Sequence, residues 1–288
     1  MNLCDYTTIR DLLARHGFHF SKSMGQNFLI DPEVPRRIAE ASGADETCGV
    51  LEIGPGIGPL TAELAQRAGK VVAVELDRAL LPVLAETMAP YPNVEIVPGD
   101  VLKLDLKALT AEKFPGLTPM VCANLPYNVT SPILEKLVET PCFPSFTVMI
   151  QREVARRLCA PQGSSEGGSF SLFLQYYMEP ELLFDVPPEK FLPAPKVTSA
   201  VIRCVRRDRP AVEVADEGFF FHVMRGGFLL RRKTLANSLS AALPEISKEV
   251  IQQAIADVGL PAAVRGEQLT LEDFAALSAA LGREADGD

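Results

Sequence analysis

The chain has 288 residues, 47% of them hydrophobic, and a formal net charge of −9 at pH 7. This length fits one large domain, or a medium domain and a small one, and the composition supports a hydrophobic core. The acidic balance argues against a protein that binds polyanions through its overall charge, and no apolar run is long enough to cross a bilayer. Because the amino terminus lacks a basic-then-apolar signal pattern, we expect a cytoplasmic protein.

Cysteine and histidine, the residue types that most often form disulfides or bind metals, are scattered along the chain. The six cysteines include no Cys-x-x-Cys pair, and Cys48 and Cys122 lie in or beside predicted strands. His16 and His19 are close in sequence, but no Cys or His cluster lies near them. We therefore expect reduced core thiols, no disulfide and no metal site.

The first part of the chain alternates between predicted strands and helices. Short apolar runs predict five strands, and amphipathic segments with helical spacing separate several of them. Such alternation indicates βαβ units and a mainly parallel sheet. The predicted strands are Val50–Ile53, Lys70–Glu75, Val94–Val97, Met120–Asn124 and Thr147–Ile150.

The second part of the chain follows a different pattern. Prolines interrupt the regular alternation at Pro180, Pro187, Pro188, Pro193 and Pro195. A late strand is predicted from Val197 to Val205, and the sequence reads as helical from Phe219 onward. A helix stop at Gly259–Pro261 and a capping box at Thr270–Asp273 mark helix boundaries in this region.

Polar residues and glycines follow the first three predicted strands. Gly54, Gly56 and Gly58 form a Gly-x-Gly-x-Gly pattern, which differs from the dinucleotide-binding pattern Gly-x-Gly-x-x-Gly. Glu75 can accept hydrogen bonds from both hydroxyls of a ribose, and Asp100 can accept one from an adenine amino group. Because ligands of open α/β sheets bind at the carboxyl ends of the strands, this set predicts an adenosine pocket.

The stretch Asn124-Leu125-Pro126-Tyr127 follows the fourth predicted strand. Pro126 cannot continue a central strand, so a turn is expected there. That turn presents an amide, backbone carbonyls and an aromatic face, which suit the exocyclic amine and the flat ring of a nucleobase. The stretch resembles the Asn/Asp-Pro-Pro-Tyr-type motif of adenine N6-methyltransferases.

Further motifs extend this resemblance. The segment Leu51–Gly56 resembles motif I of Class I S-adenosylmethionine-dependent methyltransferases. From about Phe20 to Leu281 the chain resembles the bacterial small-subunit ribosomal RNA adenine dimethyltransferase family, whose motifs occur here in the same order. The stretches that carry the resemblance are Ser23–Leu29, Asn124–Tyr127, Gln151–Ala155, Pro195–Val201 and Arg231–Leu235.

The resemblance implies both a fold and an activity. The fold would be a Rossmann-like Class I methyltransferase domain with a mainly parallel sheet over residues 1–207, then a small helical RNA-binding domain over residues 208–288. The activity would be S-adenosylmethionine-dependent dimethylation of N6 of two adjacent adenosines in the 3′-terminal hairpin loop of 16S rRNA. The partner would be the 30S small ribosomal subunit, in the course of ribosome biogenesis. We expect a monomer. We also expect no metal and no covalent enzyme intermediate, because a sulfonium methyl group is already activated.

The resemblance also implies roles for individual residues. The implied cofactor contacts are Gln26, Asn27, Leu29, Gly54, Gly56, Glu75, Leu76, Asp100, Val101 and Asn124. The implied catalytic residues are Asn124, Leu125, Pro126 and Tyr127. In this set the Asn124 side-chain oxygen and the Leu125 carbonyl would accept hydrogen bonds from the two N–H groups of the target amine. Tyr127 would stack on the base. Phe191 would cover the opposite face of the base.

Basic residues are concentrated late in the chain. The segment from Lys196 to Lys233 contains nine basic and four acidic residues, which gives it a local net charge of +5. Arg152, Arg156 and Arg157 share one face of a predicted helix. This face could contact phosphates or simply be exposed to solvent, and the pattern favours neither. The expected contacts to RNA are Arg152, Lys196, Arg231, Arg232 and Lys233.

Other functions remain open at this stage. A large-subunit rRNA adenine methyltransferase of the resistance type and a DNA adenine N6-methyltransferase would use a similar pocket. A non-catalytic ribosome-assembly factor could keep the same fold. A nicotinamide-dependent dehydrogenase is disfavoured by the glycine spacing. Residues 164–170 depart from the pattern of the resembled family, which affects local substrate contacts only.

Overall fold

The computed structural model describes residues 1–18 and 26–285, with side chains up to residue 282. His19 and the start of the Ser23–Leu29 motif lie outside the described residues. The chain forms two compact units, one of residues 1–155 and 181–206 and the other of residues 156–180 and 207–288. The break after residue 206 is one residue from the boundary predicted at 207, but the structure groups residues 156–180 with the second unit.

Seven of the described strands form one sheet and two form a small separate sheet. The seven-stranded sheet has the order β4-β3-β2-β5-β6-β9-β7, and β1 pairs with β8. The strands are β1 (Phe28–Leu29), β2 (Cys48–Ile53), β3 (Lys70–Glu75), β4 (Val94–Pro98), β5 (Thr118–Asn124), β6 (Ser145–Gln151), β7 (Met178–Val186), β8 (Phe191–Leu192) and β9 (Ser199–Arg206).

Strands β2 to β6 are parallel, which confirms the sheet type predicted from the sequence. Strand β9 runs antiparallel to β6, with Gln151 opposite Ser199. The order reverses direction between β2 and β5, so the carboxyl ends of these neighbours form a topological switch point. All six residues of β2 are buried, as expected for a central strand covered on both faces.

Helices of the first unit supply two apolar clusters. One cluster joins α2 and α3 to residues of the sheet, including Val50, Cys122 and Met149. The other joins α1 and α4 to Phe28 and Ile57. The helices are α1 (Tyr6–Arg15), α2 (Glu33–Ser42), α3 (Pro59–Ala65), α4 (Leu81–Thr87), α5 (Leu106–Lys113) and α6 (Thr130–Glu139), followed by α7 (Arg152–Leu158), which crosses into the second unit.

Strand β7 runs through Pro180, where the prolines predicted an interruption. The alternation of strands and helices does break here, because β7, β8 and β9 follow one another with no α-helix between them. Pro180 is tolerated within β7 because β7 lies at the edge of the sheet, where a residue without an N–H is allowed. Nearby, the predicted strand at Val197–Val205 begins and ends slightly later, as β9. The six cysteines, all in the described part of the chain, are free, and four of them are buried.

The second unit is helical from residue 217 onward, as the sequence predicted. Its helices are α8 (Ser169–Tyr177), α9 (Glu217–Gly227), α10 (Leu235–Ala242), α11 (Lys248–Asp257) and α12 (Leu271–Ala285). Thr270 and Asp273 form the predicted capping box, since each accepts a hydrogen bond from the backbone of the other. The stop after α11 is also confirmed, because Gly259 has a φ of 77° and donates to the Ala256 carbonyl.

An aromatic cluster explains why residues 156–180 join the second unit. Tyr176 of α8 packs against Phe220 and Phe221 of α9, with ring centroids 5.4 and 5.0 Å apart. Phe173 packs edge-on against Phe221, with centroids 5.4 Å apart. Such pairs add to the stabilisation that comes from burying large rings. Helix α8 was not predicted, because an apolar run of this length does not distinguish a helix from a strand.

Arg206, the last residue of β9, holds the carboxyl end of α6. Its guanidinium donates to the carbonyls of Leu137, Val138, Thr140 and Phe143, at 2.9–3.2 Å. The last carbonyls of a helix have no partner within the helix, and a cation there also interacts favourably with the helix dipole. Arg206 therefore connects α6 to the sheet.

Replacing Arg206 with Met should destabilise the protein. The variant keeps an apolar stem but leaves the α6 carbonyls without their donors, so we expect the free energy of unfolding to fall by about 2–4 kcal/mol. Urea unfolding followed by circular dichroism measures the difference. Arg209→Met, at an exposed position, is the matched control and should change stability by less than about 0.5 kcal/mol. Equal stability of the two variants would contradict the role of Arg206.

Candidate functional site

A cavity of about 290 Å³ lies at the carboxyl ends of β2, β3, β4 and β5, next to the segment that contains β1. Its size is near the lower end of small-molecule sites, which span about 300–1,000 Å³. Every residue predicted to contact the cofactor, and the whole Asn124–Tyr127 turn, lines this cavity. These residues are Gln26, Asn27, Leu29, Gly54, Gly56, Glu75, Leu76, Asp100, Val101, Asn124, Leu125, Pro126 and Tyr127.

The loop after β2 comes close to the cavity because its glycines adopt conformations that other residues avoid. Gly56 has a φ of 63° and Gly58 a φ of 95°. A Cβ atom added at Gly58 would lie 2.5 Å from the Met88 Cε atom. Side chains at these positions would therefore be strained, and of the loop glycines Gly54 and Gly56 line the cavity with their backbone.

The Glu75 carboxylate is oriented by two backbone N–H groups. Asp77 donates to Oε1 at 2.7 Å, and Gly56 donates to Oε2 at 3.3 Å. Only 6% of the residue is exposed, and burial raises the pKa of the carboxyl, while the two backbone bonds oppose this shift. The carboxylate is thus held in one orientation at the end of β3, where it can accept two hydroxyl donors from a ligand.

The neighbouring segment after β4 is held in a similar way. Asp100 accepts a hydrogen bond from the Leu102 N–H at 3.0 Å. Lys136 of α6 donates to the Leu102 carbonyl at 2.9 Å. Val101 and Leu102 line the cavity beside the Asp100 carboxylate. A flat, partly polar ring would find apolar contact and one acceptor here.

The Asn124–Tyr127 turn is anchored on both sides. The Leu125 N–H donates to the Met149 carbonyl at 3.0 Å, which continues the pairing of β5 with β6. The Pro126 carbonyl accepts from the Thr130 hydroxyl at 3.0 Å. The Tyr127 hydroxyl lies 2.5 Å from the Ser199 hydroxyl. The turn therefore presents its amide and its ring to the cavity from a fixed backbone.

Glu52 is a residue of the cavity that the sequence analysis missed. It lies on β2, is 1% exposed and lines the cavity, and its Oε2 atom has no hydrogen-bond partner. Burial raises the pKa of Glu52 to about 8, and the negative charge of Glu75 adds to this effect. A single acid within a strand that otherwise reads as apolar was the signal in the sequence.

Gln26, in the segment that leads into β1, reaches across to the segment after β3. Its amide donates to Asp77 Oδ2 at 2.6 Å. The segment then pairs with β8, where Leu29 is opposite Phe191. Lys190 and Asp31 add an ion pair at 2.6 Å. The amino-terminal wall of the cavity is therefore tied to two parts of the first unit.

The remaining predicted substrate residues do not line this cavity. Phe191 is 3% exposed and packs in the apolar core, so its position does not support the role of covering a base. Arg152 lies 3.6 Å from Asp185 in an ion pair, and Lys196 is exposed. In the second unit, the exposed residues Arg231, Arg232 and Lys233 lie in the turn between α9 and α10.

Residues 1–18 and 26–285 contain neither a cluster of potential metal ligands nor a helix suited to span a membrane. No group of three His, Cys, Asp or Glu side chains in these ranges could hold a metal ion. Within the same ranges, no helix combines the length and the apolar character that a membrane span needs.

These features fit S-adenosylmethionine. The two oriented oxygens of Glu75 suit a ribose diol, and the apolar residues beside Asp100 suit an adenine ring. The unpartnered Oε2 atom of Glu52 suits a cationic group of the ligand, since a buried carboxyl without a partner is unfavourable. S-adenosylmethionine supplies a methyl group that its sulfonium centre has already activated.

The buried Glu52 should make stability depend on pH. Its pKa is about 8 in the folded protein, against an ordinary value of 4.5. Between these values the folded protein keeps a proton that the unfolded chain has lost, so the free energy of unfolding falls as the pH rises through this window. Glu52→Gln removes this contribution, and urea unfolding at about pH 5 and about pH 8 should show a weaker decline than in the wild type.

Glu46→Gln, at an exposed position just before β2, is the matched control and should keep the wild-type decline. A wild-type decline in Glu52→Gln would show that the folded protein does not hold Glu52 in its neutral form.

Comparison with known proteins identifies the family. The model of the family described as "Ribosomal RNA adenine dimethylase" matches residues 17–277. A protein named "Ribosomal RNA small subunit methyltransferase A" from Geobacillus sp. (strain WCH70) is 48% identical over 277 residues, covering 94% of this chain and 95% of that protein. A protein of the same name from Bacillus mycoides (strain KBAB4) is 49% identical over 276 residues, covering 94% of each.

Solved structures support the same conclusion. The 23S rRNA methyltransferase ErmE is similar with a TM-score of 0.67 and 28% identity, covering 89% of this chain and 100% of that one. A dimethyladenosine transferase from Plasmodium falciparum shares the fold, with a TM-score of 0.75, 23% identity, and coverage of 89% and 98%. The predicted Class I methyltransferase fold is thereby confirmed. The chain belongs to the ribosomal RNA adenine dimethylase family, and its methyl donor is S-adenosylmethionine.

Proposed function

We propose that this protein dimethylates N6 of two adjacent adenosines in the 3′-terminal hairpin loop of 16S rRNA, with S-adenosylmethionine as the donor. The observation that carries the proposal is the position of the Asn124–Tyr127 turn, which lines the same cavity as Glu75 and Asp100. A cofactor site and a set of acceptors for an amine thus share one space. The substrate is the small ribosomal subunit, and the activity is cytoplasmic, part of ribosome biogenesis and carried out by a monomer.

Apart from the role of Glu52, the cofactor roles are those that the family resemblance implies, and the shared cavity supports them. Glu75 holds the ribose hydroxyls, and Asp100 accepts from the adenine amino group, with Leu76 and Val101 on the ring faces. Gly54 and Gly56 contact the methionine part, and Glu52 receives its cationic end. Gln26, Asn27 and Leu29 enclose the cofactor from the amino-terminal segment.

The base roles are positioning and electrostatic stabilisation. An adenine N6 is a poor nucleophile because its lone pair is delocalised into the ring. The Asn124 side-chain oxygen and the Leu125 carbonyl accept hydrogen bonds from its two N–H groups. This favours a pyramidal nitrogen aimed at the methyl group. Tyr127 stacks on the base. Phe191 has no contact with the base in this proposal, and as the first residue of β8 it packs in the apolar core.

The target adenosine must leave its stack to reach such a cavity. Flipping is easiest in RNA loops, whose bases are already partly unstacked. The exposed Lys196 and the partly exposed Arg152 contact phosphates from the first unit. The exposed turn residues Arg231, Arg232 and Lys233 contact phosphates from the second unit, whose residues 208–288 form an RNA-binding lobe.

The relatives favour the small subunit over other targets. The two named relatives are 48% and 49% identical to this chain, whereas the 23S rRNA methyltransferase is 28% identical. The test incubates the protein and labelled S-adenosylmethionine with unmethylated 30S subunits, 50S subunits and DNA in parallel. N6,N6-dimethyladenosine at two adjacent positions near the 3′ end of 16S rRNA is the expected product. Label only in 50S subunits or DNA would refute the proposed substrate.

Asn124→Ala should abolish transfer without preventing 30S binding. The loss of one acceptor for the reacting amine is expected to lower the rate by about 10²–10³-fold. Single-turnover methylation and a filter-binding assay measure the two properties separately. Gln66→Ala, an amide at an exposed position outside the cavity, is the control and should keep the wild-type rate. A wild-type rate for Asn124→Ala would refute the assignment of the acceptor.

Replacing Arg231, Arg232 and Lys233 together with Gln should weaken 30S binding by about tenfold or more, because three phosphate contacts are lost. The salt dependence of the association constant should also become shallower by up to about three units of slope. Binding of S-adenosylmethionine should not change. The control replaces the exposed, dispersed residues Lys107, Lys248 and Arg265 with Gln. Equal losses in the two triple variants would indicate an effect of net charge alone.

A further inference from the structure

The ring of Tyr127 is held by a hydrogen bond that begins in the sheet. The hydroxyls of Tyr127 and Ser199 lie 2.5 Å apart, although the residues are 72 positions apart in the chain. Ser199 is fully buried, whereas Tyr127 is partly exposed and lines the cavity. The hydroxyl end of the ring is therefore fixed inside the protein, and a face of the ring is left for the cavity.

The topology of the sheet explains how the two residues meet. Strand β9 is antiparallel to β6, so the start of β9 lies at the edge where the parallel strands β5 and β6 end. Ser199 is the first residue of β9 and lies opposite Gln151, the last residue of β6. The hydrogen bond thus passes from the turn after β5 across the end of β6 to β9.

The Tyr127 hydroxyl serves as a structural anchor and not as a base. Burial raises the pKa of Tyr127, and the hydrogen bond with Ser199 only partly opposes that shift. The phenol is consequently neutral at physiological pH and forms one hydrogen bond with the Ser199 hydroxyl. What remains for the reaction is the ring, whose tilt depends on where its hydroxyl end is held.

We propose that Ser199 is a positioning residue for methyl transfer, which sets the plane of Tyr127 on which the target adenine stacks. This inference rests on the proposed function and deepens it. The adenine N6 must lie close to the methyl group and in line with it, and a misplacement of about 1 Å can lower a rate by about 10²-fold. A ring held at its hydroxyl end presents one stacking plane, whereas a ring without that bond can tilt.

The backbone at Ser199 does not depend on its side chain. Strand pairing with Gln151 holds the residue, and the Arg152 N–H donates to the carbonyl of the preceding Thr198 at 2.9 Å. Ser199→Ala therefore removes the hydroxyl and leaves the strand in place. Ser199 does not line the cavity, so the variant leaves the cofactor contacts intact.

The experiment measures single-turnover methylation of unmethylated 30S subunits at saturating S-adenosylmethionine. Ser199→Ala should lower the rate by about tenfold, while the dissociation constant of S-adenosylmethionine should stay within about twofold of the wild type. Tyr127→Phe keeps the ring and removes its hydroxyl, so it should cause a similar loss. The double variant should be no slower than either single variant, because both remove the same hydrogen bond.

Ser145→Ala is the matched control. Ser145 is also a buried serine of the β6–β9 pair, but it lies opposite Val205 at the other end of the strands, and this variant should keep the wild-type rate. Tyr127→Leu, which removes the ring, should be slower than Tyr127→Phe.

Three results would overturn the inference. They are a wild-type rate for Ser199→Ala, multiplicative losses in the double variant, and a parallel loss of S-adenosylmethionine binding that indicates a general structural defect. Wild-type protein that leaves 30S subunits unmethylated would overturn the proposed function, and with it this inference. Normal wild-type methylation with an unaffected Ser199→Ala would overturn the inference alone.

Discussion

The parallel register of β2, β3, β4 and β5 is the constraint on which the site depends. Because these strands are parallel neighbours, all four end at one edge of the sheet. Residues from four distant parts of the chain, namely Gly54, Glu75, Asp100 and Asn124, thereby line one cavity. A ligand that spans these strand ends meets the backbone at Gly54, the Glu75 carboxylate and the Asp100 carboxylate, at positions fixed by the order of the strands.

Buried carboxyls give this edge its electrostatic character. Glu52 and Glu75 are both nearly inaccessible, and burial raises the pKa of each. Glu75 is stabilised by backbone donors, whereas one oxygen of Glu52 has no partner. A cationic group of a bound ligand would therefore give the unpartnered Glu52 oxygen a favourable neighbour. This provides a physical reason for a donor with positive charge to bind more favourably than a neutral analogue.

The antiparallel strand β9 adds a second layer of support behind the Asn124–Tyr127 turn. Its first residue reaches Tyr127, and its last residue, Arg206, holds the end of α6. The Asn124–Tyr127 turn is thus supported by β6 through its backbone and by β9 through a side chain. Rigid elements on both sides suit a reaction in which the enzyme mainly positions two reactants.

The sequence alone was enough to predict the alternation of strands and helices, the strand-end residues that line the cavity, and the Asn124–Tyr127 turn. Each of these is a local signal: an apolar run, a glycine pattern, or a proline that ends a strand. Tertiary structure alone decided that Phe191 is buried in the core, that Glu52 faces the cavity, and that Ser199 meets Tyr127. The same holds for β7, where only its place at the sheet edge explains Pro180. These features depend on which strands become neighbours, and periodicity within one segment carries no information about neighbours that are distant in the chain.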